Sequence, residues 1–331
     1  MEATMSLQKL RFASRIPSRS LKQTDDEHID VLGLCALPDD VVLIDLFIRT
    51  SSQYCLRALS LRSQQLSRDG ACALEQVYCV AYDKRTDTLL CVCGDDDNNN
   101  SWLVSLRRGA SASDWLEVQR LRTQIPLDDI GQLVVSDSRV LLAQQTEDTN
   151  RLHTFDMSEP HGLRPVGAVV PDVQFWRFAC SRVGADTLVA FVHETAVSLH
   201  RLAALQLEPL AQVDLTDPRI LLFRGDLLLV ADWSEDTKTH AVVPLLATGG
   251  RLTRLPHLLL DAANSVAIDE WCLSSDHLVV LDWKSKDLLK YAFEWTRTIR
   301  TEPAITCNLH QWLLSYTFTI RFNVFVIHYL L

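Results

Sequence analysis

The chain of 331 residues is 47% hydrophobic and 22% charged, with 11 glycines and 11 prolines. That composition buries a core and excludes a linker, a collagen-like repeat or a disordered polymer. The formal net charge of −10 at pH 7 repels phosphate backbones on average and excludes general nucleic-acid binding.

Taken in chain order, residues 1–28 come first. They carry Lys9, Arg11, Arg15, Arg19 and Lys22, and Glu2 is the single acid among the first 24. No long apolar face runs through them, so a disordered basic arm is expected. The same composition suits a mitochondrial transit peptide, which makes the mitochondrion the alternative to a cytoplasmic location. The nine cysteines include no CxxC pair, and most stand in apolar runs such as Val77-Tyr78-Cys79-Val80. They are expected to be reduced core thiols in a reducing compartment.

From residue 29 an aspartate recurs just before an apolar run. Asp40 precedes Val41-Val42-Leu43-Ile44, and Asp87 precedes Leu89-Leu90-Cys91-Val92. Asp137, Asp186, Asp226 and Asp276 stand likewise before runs beginning at Val140, Leu188, Leu227 and Leu278. The steps between the six are 47, 50, 49, 40 and 50 residues. A second apolar run precedes each aspartate, and turn formers such as Pro38-Asp39-Asp40 and Gly225-Asp226 separate the two. Aspartate and glycine tolerate left-handed backbone, so each marker reads as the tip of a β-hairpin.

A third segment follows in the units, for example Ala196–Leu202 and Leu288–Phe293, and a fourth in most, for example Trp115–Val118 and Val166–Val170. Four short strands per unit of this length make one propeller blade. Such a sheet is apolar on both faces and cannot bury both alone, so neighbouring sheets must stack. The fold expected is all-β, a β-propeller of about six four-stranded antiparallel blades over residues 29–295. A seven-bladed, WD-repeat-like ring is the alternative.

Two segments carry a family resemblance. Leu227–Trp233 and Leu278–Tyr291 (an apolar strand, an acid, a polar turn and a resumed strand) resemble the second-to-third strand passage of six-bladed propellers of the NHL and TolB-like kind. The asparagine-arginine pair usual after the acid is absent, as are the Gly-His and Trp-Asp dipeptides of WD repeats. The resemblance spans residues 29–295 at the level of fold and implies a binding platform, often one domain of a larger assembly.

Several constellations bear on chemistry. Asp232-Trp233 and Asp282-Trp283 recur in register. Each aspartate is expected to bond turn amides and fix its blade, and each tryptophan to cover a groove between blades or face a partner. The run Asp95–Asn100 offers oxygen ligands but lacks the spacing of a calcium loop and is expected to be a solvated hairpin tip. His153, His193 and His200 lie on or beside strands, and nothing in the sequence makes them converge. There is no Gly-x-Ser-x-Gly elbow, phosphate loop or Gly-x-Gly-x-x-Gly motif, so no catalytic residue, cofactor or metal site is assigned.

Residues 296–331 end the chain. Leu314, Tyr316, Phe318, Ile320, Phe322, Val324 and Val326 alternate with mostly polar residues, which reads as a strand that closes the ring or adds an edge. A membrane helix over residues 312–331 is the rival, but Arg321 at mid-bilayer would cost ~2.5–3.5 kcal/mol. The function expected is a non-enzymatic scaffold for a protein or peptide partner, acting as a monomer or as a subunit of a larger complex. The alternative is a calcium-dependent six-bladed propeller hydrolase of lactonase or esterase type.

Overall fold

A computed structural model describes residues 2–22, 27–51, 53–66, 76–95, 99–109, 115–157, 162–256, 266–274, 277–282 and 284–300. Residues 7–295 form one compact unit. Residues 1–6 and 296–331 form another, of which only the ends of two strands are described.

The chain is a six-bladed β-propeller. Blade I contains β2 (Ile29–Leu37), β3 (Val41–Ile48), β4 (Gln53–Ser60) and β5 (Gln65–Leu66). Blade II contains β6 (Val77–Asp83), β7 (Thr88–Asp95), β8 (Asn100–Arg108) and β9 (Trp115–Arg122). Blade III contains β10 (Ile130–Ser136), β11 (Arg139–Gln145), β12 (Asn150–Asp156) and β13 (Arg164–Val169). Blade IV contains β14 (Arg177–Val183), β15 (Asp186–His193), β16 (Ala196–Ala203) and β17 (Gln206–Asp214). Blade V contains β18 (Pro218–Arg224), β19 (Leu227–Ser234), β20 (Thr239–Thr248) and β21 (Arg251–Arg254). Blade VI contains β22 (Ile268–Leu273), β23 (His277–Asp282) and β24 (Leu288–Arg300), and its outermost strand is β1 (Glu2–Ile16), from the other end of the chain.

The innermost strand of each blade touches those of both neighbours, with β2 meeting β6 on one side and β22 on the other, so the ring is closed. Each second strand sends alternate side chains to opposite faces of its sheet. Leu227, Leu229 and Ala231 pack towards blade VI, whereas Leu228 and Val230 pack towards blade IV. This is why these strands read as unbroken apolar runs. Six apolar clusters result, one in each seam between blades.

The marker aspartates lie at the turns joining first and second strands. Asp40, Asp87 and Asp137 have φ of 57°, 52° and 51°. In blades IV and V the left-handed residue is the adjacent Gly184 or Gly225, with φ of 64° and 63°. Asp186 there opens β15, and Asp226 shares the turn with Gly225. Asp276 lies outside the described residues.

The disordered arm expected over residues 1–28 is corrected by β1. Leu10 and Ile16 are fully buried, and Phe12 packs edge-on against Tyr291 at 5.8 Å. The basic residues Arg11 and Arg15 take intervening positions, where Arg11 faces Glu294 and Arg15 pairs with Asp287. Asp287 also accepts the Ser18 amide N–H at 2.7 Å. Beyond it a 3-10 turn over Ser18–Leu21 buries Leu21. Arg57 then donates to the Leu21 carbonyl and makes a two-point pair with Glu27 at 2.8 and 2.9 Å. The C-terminal strand expected over Leu314–Val326 lies outside the described residues. Among the described residues no helix is long and apolar enough to cross a membrane.

One seam is unlike the rest. Asp45 lies two residues after Leu43 on β3, is 1% exposed, and neither carboxyl oxygen has a hydrogen-bond partner. Burial raises its pKa from 3.8 to about 7, although the Leu46 backbone opposes the shift. In the unfolded chain the carboxyl ionises in the usual acid range, so the folded form is favoured at low pH and loses that advantage as pH rises towards 7. The wild-type protein is therefore expected to lose on the order of 4 kcal/mol of stability from Asp45 between about pH 4 and pH 8, and Asp45→Asn to flatten that slope in urea unfolding. Leu10→Ala is expected to cost about 2–5 kcal/mol in the same measurement, as a mid-blade core truncation would.

Candidate functional site

The ring has two ends of different construction. The end with the marker turns is stitched by arginines. Asp87 accepts the Tyr82 hydroxyl at 2.6 Å and faces Arg108 at 3.7 Å, and Arg108 reaches back to Asp39 of blade I at 4.0 Å. Asp137 of blade III meets Arg182 of blade IV at 3.5 Å, and Asp186 meets Arg201 at 3.3 Å. Asp40 faces Arg62 at 4.0 Å. Exposed pairs of this kind contribute little each but fix the relative position of adjacent turns.

At the opposite end, the loop entering each blade crosses over the end of its second strand. Asp232 accepts the amide N–H groups of Thr216 and Asp217 at 3.1 and 2.8 Å. Asp282 accepts those of Ala267 and Ser285 at 3.1 and 3.2 Å, and the Ser285 hydroxyl at 2.7 Å. Both aspartates are buried. Trp233 is half-buried, packs at a tilt against His240 with ring centroids 4.8 Å apart and donates its indole N–H to Glu235 at 2.8 Å. His240 accepts the Ile268 amide through Nδ1 at 2.8 Å, tying blade V to blade VI. Burial, reinforced by Arg219, lowers its pKa to about 4, so the ring is neutral and free to accept. Trp283 lies outside the described residues.

Most of the other candidates have partners nearby in the chain, whereas His193 Nε2 is buried without one. Asn99 Oδ1 accepts the Leu127 amide at 2.7 Å, and Asn100 accepts from Arg122, while residues 96–98 lie outside the described set. His153 bonds Gln144 at 3.0 Å and His200 bonds Ser198 at 3.1 Å. Burial lowers the pKa of His153, His193 and His200 alike. Among the described residues no three His, Cys, Asp or Glu side chains gather as a metal site.

Two features of the central channel escaped the sequence reading. First, Arg177 at the start of β14 and Glu270 on β22 form a 2.5 Å ion pair that skips blade V. This chord crosses the channel at the end opposite the marker turns. Beside it stands Trp176, 53% exposed. Its backbone is held on both sides: the amide donates to the Val192 carbonyl at 3.1 Å, and its carbonyl accepts from Gln145 at 2.9 Å. Phe175 anchors the loop in the core against Phe178 and Phe191. Within the run Phe175-Trp176-Arg177-Phe178, the loss of strand alternation at Trp176 was the available signal.

Second, a cavity of about 440 Å³ is lined by the innermost strands of all six blades. Its wall contains Leu34, Ala36, Val134, Leu222 and Leu273, all incompletely covered. The same side chains also pack into the seams: Leu34 and Ala36 between blades VI and I, Val134 between blades III and IV, and Leu222 and Leu273 between blades V and VI.

No protein-family model matches the chain, and no curated protein matches it. Many solved structures do, at the level of fold. A protein from Lactobacillus plantarum is 15% identical, with TM-score 0.52, covering 78% of this chain and 81% of its own. A candidate oxidoreductase (glucose dehydrogenase) from Thermus thermophilus is 13% identical, with TM-score 0.52 and coverages of 80% and 99%. The β-propeller domain of Swd1 from Myceliophteria thermophila is 10% identical, with TM-score 0.50 and coverages of 84% and 90%. These likenesses establish the propeller class of the chain. They join proteins of different activities, so the fold does not choose among functions.

Asp232→Ala and Asp282→Ala are each expected to cost about 1–3 kcal/mol in urea unfolding, because each removes the acceptor of two part-buried or buried backbone N–H groups. A variant that left the midpoint unchanged would show that the loop amides find other partners.

Proposed function

We propose that the chain is a non-enzymatic protein-interaction module that takes its partner at the end of the ring bearing Trp176. The observation that carries this reading is a large aromatic, more than half exposed, on backbone fixed by hydrogen bonds from two strands. A pre-ordered aromatic gains contact area on binding with little loss of freedom, and such residues dominate interface energies. The surrounding loops carry exposed Glu147, Asp148, Asp172 and Glu194, so the matching partner surface is apolar with lysine or arginine at its rim.

The hydrolase alternative requires several oxygens to converge on the axis. Among the described residues that line the axial cavity no carboxylate occurs, and no observation favours this alternative.

A photo-crosslinking phenylalanine in place of Trp176 is expected to trap a discrete protein adduct in cells. The same probe at Leu116, exposed on the outer strand of blade II, serves as control. Trp176→Glu is expected to weaken capture of the trapped partner by about 2 kcal/mol or more at unchanged melting temperature. Equal labelling at both positions, or turnover of lactone or ester substrates by the purified protein, would remove the reading.

A further inference from the structure

The innermost strands share an irregularity at one level of the ring. Their pairing with the second strands slips between Val31 and Gly33 in blade I and between Val77 and Cys79 in blade II. It slips again between Ile130 and Leu133, Pro218 and Ile220, and Ile268 and Glu270 in blades III, V and VI. In blade IV the Trp176 amide reaches the Val192 carbonyl although Arg177 is the ladder partner of Val192, so two residues oppose one. Every slip lies near the start of its strand, at the end of the ring opposite the marker turns. A β-bulge releases a residue from the ladder and re-aims its side chain. Residues are therefore released in all six blades around the mouth of the channel.

Most of them are occupied. Arg219 and Asp269 pair with Asp217 and Lys286. Tyr78 lies back over Gly94, where a Cβ would meet its ring at 2.6 Å, and stacks on Tyr54 at 5.9 Å. Gly131 has no side chain, and the neighbouring Gln132 accepts the Phe178 amide at 3.0 Å. Leu32 and Trp176 remain, 41% and 53% exposed. Neither belongs to a seam cluster or lines the axial cavity. The other large apolar residues that are exposed among the described ones, such as Leu116 and Val166, lie on or beside outermost strands.

Blades I and IV face each other across the ring, since contacts between innermost strands run from I through II and III to IV and from I through VI and V to IV. The two apolar side chains thus stand on opposite sides of one opening. The Arg177–Glu270 chord takes up the side of blade V. The side of blades II and III is left low by Gly131 and by the retracted Tyr78. Charge differs between the two anchors. Beside Leu32, Asp30 is clamped by Arg49 at 3.0 Å, whereas the exposed Glu147, Asp148, Asp172 and Glu194 all belong to the sector of Trp176.

We propose that the partner enters this mouth as an extended segment with two apolar side chains, one seated on Leu32 and one on Trp176. The segment crosses on the side of blades II and III and carries lysine or arginine next to the residue that meets Trp176. Two anchors fix its direction as well as its place. This rests on the reading of Trp176 as the partner site.

Random twelve-residue peptides displayed on phage and panned against the full chain supply the probes. Enriched peptides are titrated by fluorescence anisotropy. They are expected to hold two apolar residues, one of them beside lysine or arginine. Leu32→Ser and Leu32→Gln are each expected to weaken them at least about fivefold, and Trp176→Glu at least about tenfold, at unchanged melting temperature. Leu116→Ser, on an outermost strand, is expected to change nothing. Peptides weakened by Trp176→Glu but by neither Leu32 variant overturn the two-anchor mode and leave the partner reading standing. Peptides weakened by none of the three overturn both. Enrichment of peptides rich in aspartate or glutamate, or of none at all, also overturns the proposal.

Discussion

Each blade is a sheet that water can wet on neither face, and that constraint organises the molecule. A sheet whose second strand alternates Leu227, Leu229 and Ala231 with Leu228 and Val230 offers apolar side chains to both neighbours. Stacking in a line would leave the first and last sheets bare, so only a closed ring covers every face. The six seams follow, each with its own apolar cluster. Exposed side chains such as Trp176 are then left to the places that the seams do not use, chief among them the two ends of the ring.

The ends divide the polar work between them. At one, left-handed turns place aspartates within reach of arginines on the same or the next blade. At the other, buried Asp232 and Asp282 gather the amides of arriving loops. A buried carboxylate is tolerable when several N–H groups point at it. Asp45 lacks that company, and burial raises its pKa to about 7, so it gives up its proton only near neutral pH. The contrast between Asp45 and Asp232 therefore comes down to what the neighbouring backbone offers, not to depth of burial.

Much of this was legible in the residue order. The turn aspartates mark the hairpins because Asp and Gly tolerate the left-handed backbone that these turns use, and their spacing yields the blade count. The closing strand was not legible. In Leu10-Arg11-Phe12-Ala13-Ser14-Arg15-Ile16 the outward positions carry the charge, so a half-buried edge strand imitates a basic arm. The Arg177–Glu270 chord could not be read either, since it joins residues 93 positions apart. The axial lining depends on which residues of the innermost strands turn inward. Register irregularities in β2, β6, β10, β18 and β22 shift that choice locally.

The strand β1 belongs to the sixth blade yet precedes the first blade in the chain. During translation it leaves the ribosome well before β24, the neighbour it will join. Five blades can assemble while this strand waits as an open edge, with Leu10 and Phe12 uncovered. Contacts between segments so distant in sequence form slowly, and an unpaired edge invites pairing with other chains. The sixth blade can therefore be completed only once two segments from opposite ends of the propeller sequence have both been made.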